Sequence, residues 1–223
     1  MLGPGLMVLA MLIVLAGLGT WQVERLFWKQ QVLAEVARAE AAAPVLLGPN
    51  PLPFTKVKVD GTFRHDRTAL YGAEVKTFPQ GPLMGGRMIV VLERPGARPV
   101  LIDRGWVPER SPTPIDQPAG PVEITGYVHP GETETMFSAA SNPAERRFFT
   151  LDAKAIAAAL GAPDAEPWVI VAMGPTPPAR WPDPAHALPR PPNNHLMYAI
   201  TWYGLAAGLI AVFFVWIRRE TRS

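Results

Sequence analysis

Two long uncharged segments stand at the ends of the sequence, and they constrain the fold more than any other feature. No charged residue occurs from Met1 to Val23 or from Asn193 to Ile217. A helix needs about 20 apolar residues to cross the bilayer core, which is about 30 Å thick. Both segments are long enough, and Trp202 and Trp216 in the second are suited to a membrane interface. The sequence therefore predicts two membrane-spanning helices.

The first segment has a second interpretation, as a cleaved signal peptide. Such a peptide begins with basic residues, whereas the first Lys or Arg here is Arg25. The polar end of the segment, Thr20-Trp21-Gln22, is not typical of a cleavage site. We therefore interpret the segment as a membrane anchor.

Two spans place both termini on one side of the membrane and residues 24–192 on the other. Basic residues favour the cytoplasmic side. Arg25 and Lys29 follow the first span, and Arg218 and Arg219 follow the second, so they favour opposite orientations. Charge alone leaves the orientation open.

The segment between the spans has no net charge. Three of the 21 basic residues and one of the 19 acidic residues lie in the C-terminal tail, which leaves 18 of each sign. This balance argues against a nucleic-acid partner. The chain has no Cys, which excludes disulfides, thiolate metal sites and cysteine nucleophiles.

The rest of the chain divides by composition. Helical periodicity predicts that residues 24–43 form a membrane-proximal helix that continues the first span. Residues 44–174 are rich in strand signals, with one helix over Leu151–Leu160 capped by Thr150. Residues 175–192 contain eight prolines, which predicts an extended tether.

Six strand candidates are separated by Gly and Pro turns. They are Val57–Val59, Thr68–Tyr71, Met88–Leu92, Val100–Val107, Val122–Val128 and Trp168–Met173. The predicted class is an α+β membrane protein, with helices over 1–23 and 193–217 and a tail over 218–223. These helices flank a mainly antiparallel domain, a small sheet or barrel, with one or two helices.

The sequence contains no evident catalytic constellation. No Ser lies in a nucleophile elbow, and no two His stand at metal-ligand spacing. Asp103 and Arg104 are interpreted as a turn with a local ion pair. We therefore expect no enzymatic activity.

His195 differs from the other three histidines because it opens the second span. Asn193 or Asn194 can cap this helix, which places His195 in its first turn at the membrane–water boundary. The positive end of the helix dipole disfavours imidazolium, and neutral imidazole is the form that binds iron. Two interpretations remain open, an interfacial anchor and a metal ligand.

The second span has two distinct faces. At about 100° per residue, one stripe contains His195, Tyr198, Trp202, Leu209 and Phe213. Gly204 and Gly208 lie opposite, and small residues at this spacing permit close helix packing. The glycine face is therefore predicted to dock on the first span or on a partner. The aromatic face then stays free for a flat macrocycle or for lipid.

Several motifs occur in order between the two ends of the chain. They are Gly19-Thr20-Trp21-Gln22 followed by Arg25 and Trp28-Lys29, then Gly61-Thr62-Phe63, then Asp103-Arg104-Gly105-Trp106, and finally Asn193-Asn194-His195-Leu196 followed by Tyr198 and Trp202. With this set, the chain resembles the surfeit locus protein family of cytochrome c oxidase assembly factors, over essentially its whole length.

The resemblance implies a cofactor, partners and a location. Bacterial members are associated with haem a through a His at the start of the second span, the position of His195, with Tyr198 and Trp202 in the same motif. The implied partners are cytochrome c oxidase subunit I, haem a synthase and the lipid bilayer. The implied location is the bacterial inner membrane, with the central domain in the periplasm. A single His ligand makes haem binding transient.

An alternative function keeps the same partners without a cofactor. The chain would be a scaffold that holds subunit I during assembly, through the face formed by Gly204 and Gly208. His195 would then be an interfacial anchor. A membrane-tethered enzyme is a third class, which requires a catalytic constellation that the sequence lacks.

Overall fold

The computed structural model describes residues 2–79, 81–110, 113–136, 138–177 and 181–221. These residues form two compact units. One unit contains the two terminal segments, Met1–Arg38 and Pro189–Ser223, and the other spans Ala39–Leu188.

Three α-helices and seven strands, with a short 3-10 helix over Pro143–Glu145, make up the regular structure of the described residues. In chain order they are α1 (Leu2–Ala41), β1 (Val45–Leu46), β2 (Lys56–Phe78), β3 (Gly81–Glu93), β4 (Val100–Pro108), β5 (Pro121–His129), β6 (Arg147–Phe148), α2 (Ala153–Ala159), β7 (Val169–Ala172) and α3 (His195–Glu220).

The two terminal helices are each long and apolar enough to cross a membrane. Helix α1 has 40 residues and joins the predicted first span and the predicted membrane-proximal helix without a break. Helix α3 has 26 residues and covers the predicted second span from His195 onward, and it extends into the predicted tail as far as Glu220. Residues 222 and 223 of that tail, like Met1, lie outside the described residues.

Helices α1 and α3 run antiparallel. Residues near the start of α1 lie against the end of α3, as Gly5 does with Phe213, and residues later in α1 contact its beginning, as Gln22 does with His195. The shielded positions recur every three or four residues, which is the spacing of a helix seam. They include Leu12, Leu15, Gly19 and Gln22 on α1, and Ala199, Trp202, Ala206 and Leu209 on α3.

The predicted use of the glycine face on the first span is wrong. No atom outside their own helix lies within 4 Å of a Cβ built at Gly204 or Gly208, among the residues that the structure describes. Other small residues, Gly19 and Ala199, lie at the seam instead, and Ala199 is only 3% exposed. These residues supply the close approach that the glycines were expected to supply.

The middle unit is a five-stranded barrel. Strands β2, β3, β4, β7 and β5 are neighbours in that order, and β5 pairs with β2 to close the circle. Every neighbouring pair is antiparallel except β4 and β7. The α+β class and the mainly antiparallel barrel are therefore confirmed.

All six predicted strand segments overlap strands of this barrel. Two of them, Val57–Val59 and Thr68–Tyr71, belong to the single 23-residue strand β2. Its register against β3 shifts between Arg64 and Thr68. Such an irregularity bends a strand and increases its twist, which lets one long strand follow the barrel wall.

The barrel has a core on each side of its wall. Alternation along β3 sends Val90 and Leu92 to the interior cluster with Trp106, while Ile89 and Val91 contact the cluster under α2. All four β3 residues are fully buried. Burial on both faces explains why this part of the strand is a continuous apolar run in the sequence.

Helix α2 begins two residues later than predicted, at Ala153. Its cap is Asp152, whose carboxylate accepts a hydrogen bond from the Ala155 amide at 3.0 Å. Thr150, the predicted cap, is buried instead. Gly161 follows the helix with φ of +68°, the left-handed conformation expected of a closing glycine.

The predicted tether is wrong over residues 181–188. Trp181 and Leu188 are 2% and 3% exposed, and the Trp181 ring packs edge-on against the rings of Phe78 and Trp106. The backbone of Asp183 exchanges two hydrogen bonds with that of Trp106. Large apolar side chains favour burial over solvent, so the segment packs on the barrel despite its prolines. Residues 178–180 lie outside the described residues.

Candidate functional site

His195 is the first residue of α3 and is held by a residue of α1. Its Nδ1 lies 2.7 Å from Oε1 of Gln22, and the two residues are 173 positions apart in the sequence. Asn194 occupies the N-cap position as predicted, but its side chain makes no capping hydrogen bond. The orientation of the imidazole is therefore set by the neighbouring helix rather than by the cap.

This hydrogen bond favours one tautomer of the ring. The carbonyl oxygen of Gln22 can only accept, so Nδ1 is the donor, and in the neutral ring the lone pair then lies on Nε2. Within the described part of the chain, Nε2 makes no hydrogen bond. A neutral imidazole with an available Nε2 is the form that ligates a metal.

The aromatic residues of the predicted site are divided between two environments. Trp202 lies two helical turns beyond His195 on the same side and is half-buried at the seam. Tyr198 is 55% exposed. The aromatic face is therefore not free as predicted, because Trp202, Leu209 and Phe213 are half-buried at the seam with α1. Tyr198 is the exposed aromatic residue of the motif.

The α1 motif residues form a second row beside Gln22. The Arg25 guanidinium lies 5.7 Å from the ring centroid of Trp21 and 5.2 Å from that of Trp28. Trp21 and Trp28 are 47% and 49% exposed. A cation between two exposed indoles is an arrangement suited to a membrane–water interface.

The barrel motif residues have packing roles instead. Trp106 is fully buried in the interior core. A Cβ at Gly105 would overlap the carbonyl oxygen of Asp183, and one at Gly61 would press on that of Glu93. Gly105 also has φ of +120°, which side chains rarely adopt. These residues let neighbouring backbone segments approach closely.

Arg104 and Asp103 do not pair with each other, so the predicted local ion pair is wrong. They point to opposite sides of β4, because side chains alternate along a strand. Asp103 accepts from Arg87 Nε and from the Gly105 amide. Burial raises the pKa of Asp103, and Arg87 opposes that shift.

Arg104 faces the interior side of β4. It stacks on Phe63, 4.6 Å from the ring centroid, and donates to the backbone and side-chain oxygens of Asp116 at 2.7 and 3.1 Å. Burial lowers the pKa of Arg104, and Asp116 opposes the shift. These residues line a cleft of 290 Å³ with walls rich in proline.

Metal binding by a cluster of protein ligands finds no support in the described residues. No group of three or more His, Asp or Glu side chains lies close enough to hold an ion there. Within that part of the chain, His195 is therefore a candidate for a single ligand and not a member of a cluster of protein ligands.

Sequence reasoning missed several partners of the predicted residues. Gln22 was named as a motif residue, not as the partner of His195. A lone amide at the end of an uncharged segment was the available signal, since polar side chains in a span usually mark a contact. Arg87, Asp116 and Trp181 were also missed as partners, because long-range pairing leaves no mark on local spacing.

Comparison with known proteins gives one consistent result. A sequence model of the SURF1 family matches residues 9–207. A SURF1-like protein of Monosiga brevicollis is 31% identical, over 93% of this chain and 85% of the relative. Human Surfeit locus protein 1 is 30% identical, over 93% of this chain and 74% of its own. A SURF1-like protein of the bacterium Rickettsia conorii is 28% identical, over 92% and 88%.

Proposed function

This chain belongs to the SURF1 family, and from that premise we propose that it is an assembly factor for cytochrome c oxidase. Its task in this proposal is to bind haem a and guide it into subunit I. The observation that carries the proposal is the contact of His195 Nδ1 with the Gln22 amide oxygen, which leaves Nε2 without a partner among the described residues. Haem a is the cargo, and its iron serves the oxidase rather than this chain.

The residues present fit such a cargo. Nε2 of His195 supplies one axial ligand, and Tyr198 offers an exposed aromatic ring one turn along the same helix. Trp202 is half-buried on the same side of the helix, two turns beyond His195. In this proposal the attachment is transient, because a carrier must release what it binds.

The proposed setting is the bacterial inner membrane, with the barrel in the periplasm. Two helices long enough to cross a bilayer support the membrane setting. The row of Trp21, Arg25 and Trp28 would lie at its surface, where indoles and cations are favoured. The proposed partners are subunit I of the oxidase, haem a synthase and the surrounding lipid. A nucleic-acid partner is not part of the proposal.

The test is a visible spectrum of detergent-purified protein from cells that make haem a. Wild type is expected to carry haem, and His195→Ala is expected to lose it or to show an altered Soret band, because Nε2 is removed. His186→Ala is the matched control. It removes another imidazole, one that contacts Asp183 and Gly174 in the barrel. Equal haem content in wild type and His195→Ala would refute the ligand assignment.

A scaffold without cofactor is the second candidate, and one observation favours it. Gly204 and Gly208 are open on the face of α3 away from the seam, so a partner helix can approach them. Replacing both by Leu would block that approach while leaving the seam intact. Lost copurification of subunit I with retained haem would show that this face is a docking surface. Absence of haem in correctly folded wild type would favour the scaffold alone.

A further inference from the structure

We propose that Gln22 is a positioning residue that determines which nitrogen of His195 is available to haem iron. This inference rests on the proposed function and adds a residue of α1 to a site that the sequence placed on α3 alone. Gln22 does not touch the cargo in this proposal. It acts through the imidazole.

The location of Gln22 supports a specific role. Its side chain is 8% exposed, although it lies in an apolar helix. A buried amide is unfavourable unless it is hydrogen-bonded, and its oxygen is 2.7 Å from His195 Nδ1. A second bond joins the same helices nearby, between the hydroxyls of Thr20 and Tyr203 at 3.0 Å. Helix association therefore does not depend on Gln22 alone.

The chemistry of the bond links Gln22 to iron binding. An acceptor opposite Nδ1 keeps the proton there, fixes the ring orientation and increases the donor strength of Nε2. Without that acceptor, the proton can move to Nε2, which then has no lone pair for iron. The ring can also rotate, because no other hydrogen bond holds it among the described residues.

The first experiment is a haem a titration of the purified full-length protein in detergent. Gln22→Leu keeps an apolar helix and removes the acceptor, and we expect affinity to fall by about 10- to 100-fold. Gln22→Glu keeps an acceptor and is expected to retain binding with a lower midpoint potential, because a stronger acceptor makes Nε2 more electron-rich. Tyr203→Phe removes the other bond between the helices and is expected to leave affinity unchanged.

The second experiment needs no haem. Nitrogen NMR of protein labelled at histidine, with the His195 signal assigned from the His195→Ala spectrum, reports which ring nitrogen is protonated. We expect Nδ1–H in wild type and in Tyr203→Phe, and a mixture or Nε2–H in Gln22→Leu. An unchanged affinity or an unchanged tautomer in Gln22→Leu overturns the proposal.

The two experiments separate the two proposals. If wild type binds no haem a, the carrier function fails, and the role of Gln22 in iron binding fails with it. If wild type binds haem a and Gln22→Leu binds it equally well, only the role of Gln22 fails. Weaker binding by Tyr203→Phe to the same degree as by Gln22→Leu would assign the effect to helix pairing and would also overturn the proposal.

Discussion

The barrel and the helix pair use their motif residues in different ways. In the barrel, Trp106 and Gly105 are in contact with other segments, and Trp106 is fully buried. In the helix pair, Trp21 and Trp28 are about half exposed, as is Tyr198. Exposure of large aromatic residues is unfavourable in water and favourable at a membrane interface. The motif residues therefore include some that are suited to a buried protein core and others that are suited to a membrane interface.

The polar contacts of the two units also differ. Asp103 in the barrel is 1% exposed and is held by an arginine and a backbone amide. In the described part of the helix pair, hydrogen bonds between side chains join Gln22 with His195 and Thr20 with Tyr203. A neutral bond between membrane helices contributes about 0.6 kcal/mol on average. The buried charge therefore lies in the barrel, whereas the residues proposed to bind haem lie in the helix pair.

The largest predicted effect is that of Gly105→Ala. The new Cβ overlaps the Asp183 carbonyl oxygen at a backbone conformation unsuited to Ala. We expect the free energy of unfolding of the barrel to fall by about 3–5 kcal/mol. Denaturant unfolding followed by near-ultraviolet circular dichroism, which reports Trp106 and Trp181, measures this change. Gly204→Ala in the helix pair is the control and should change stability little, because its Cβ meets open space.

A smaller effect is expected for Arg87→Met. This change leaves the buried carboxylate of Asp103 without its counterion. We therefore expect the free energy of unfolding to fall by about 3 kcal/mol at pH 7. Burial holds the pKa of Asp103 above its usual value. As the pH falls, Asp103 therefore takes up a proton at a higher pH in the folded variant than in the unfolded chain. The loss of unfolding free energy should shrink as the pH falls from 7 to 5.

Unfolding curves of wild type and Arg87→Met at both pH values test this expectation. Lys58→Met is the comparison, since it breaks an ion pair with Glu123 whose side chains are 38% and 54% exposed. Exposed pairs contribute little, so this variant should resemble wild type at each pH. A loss for Arg87→Met that is independent of pH would contradict the role given to Asp103.

The smallest effect concerns His129. Burial lowers its pKa, and Glu132 partly offsets the shift. Its Nδ1 also accepts the Gly131 amide at 3.1 Å, a bond that protonation would break. As the pH falls, His129 therefore takes up a proton in the unfolded chain at a higher pH than in the folded protein. The free energy of unfolding then decreases as the pH falls below the unfolded-state pKa of about 6.5. His129→Gln should therefore lose less stability than wild type between pH 7 and pH 5. Equal losses in both proteins would show that His129 does not contribute.

Much of the fold was predictable because its signals are local. The strand patterns around Val57 and Val122, and the apolar run Met88–Leu92, all lie in strands of the barrel. The order of those strands and the closure of β5 on β2 were not predictable, since pairing depends on contacts between distant segments. The Pro-rich segment was misinterpreted for the same reason. Trp181 and Leu188 carry enough apolar surface to pack on the barrel, which composition does not reveal.

The arrangement of the candidate site was not predicted from the sequence. His195 was singled out by its position at the start of a span, the resemblance implied that it binds haem, and that role stays a prediction. The faces of α3 were assigned from the spacing of Gly204 and Gly208, and the structure places Ala199 and Trp202 at the seam instead. Helical periodicity says which residues share a face, but it does not say which face meets a neighbour.

The sequence by itself determined the two apolar helices, the β-rich middle and the family signature, because each of these depends on residues that are close together in the chain. Only the tertiary structure decided that Gln22 holds His195, that Arg87 rather than Arg104 pairs with Asp103, and that residues 181–188 belong to the barrel. Each of those contacts joins residues far apart in sequence. Their formation depends on chain packing and burial, which no local pattern encodes.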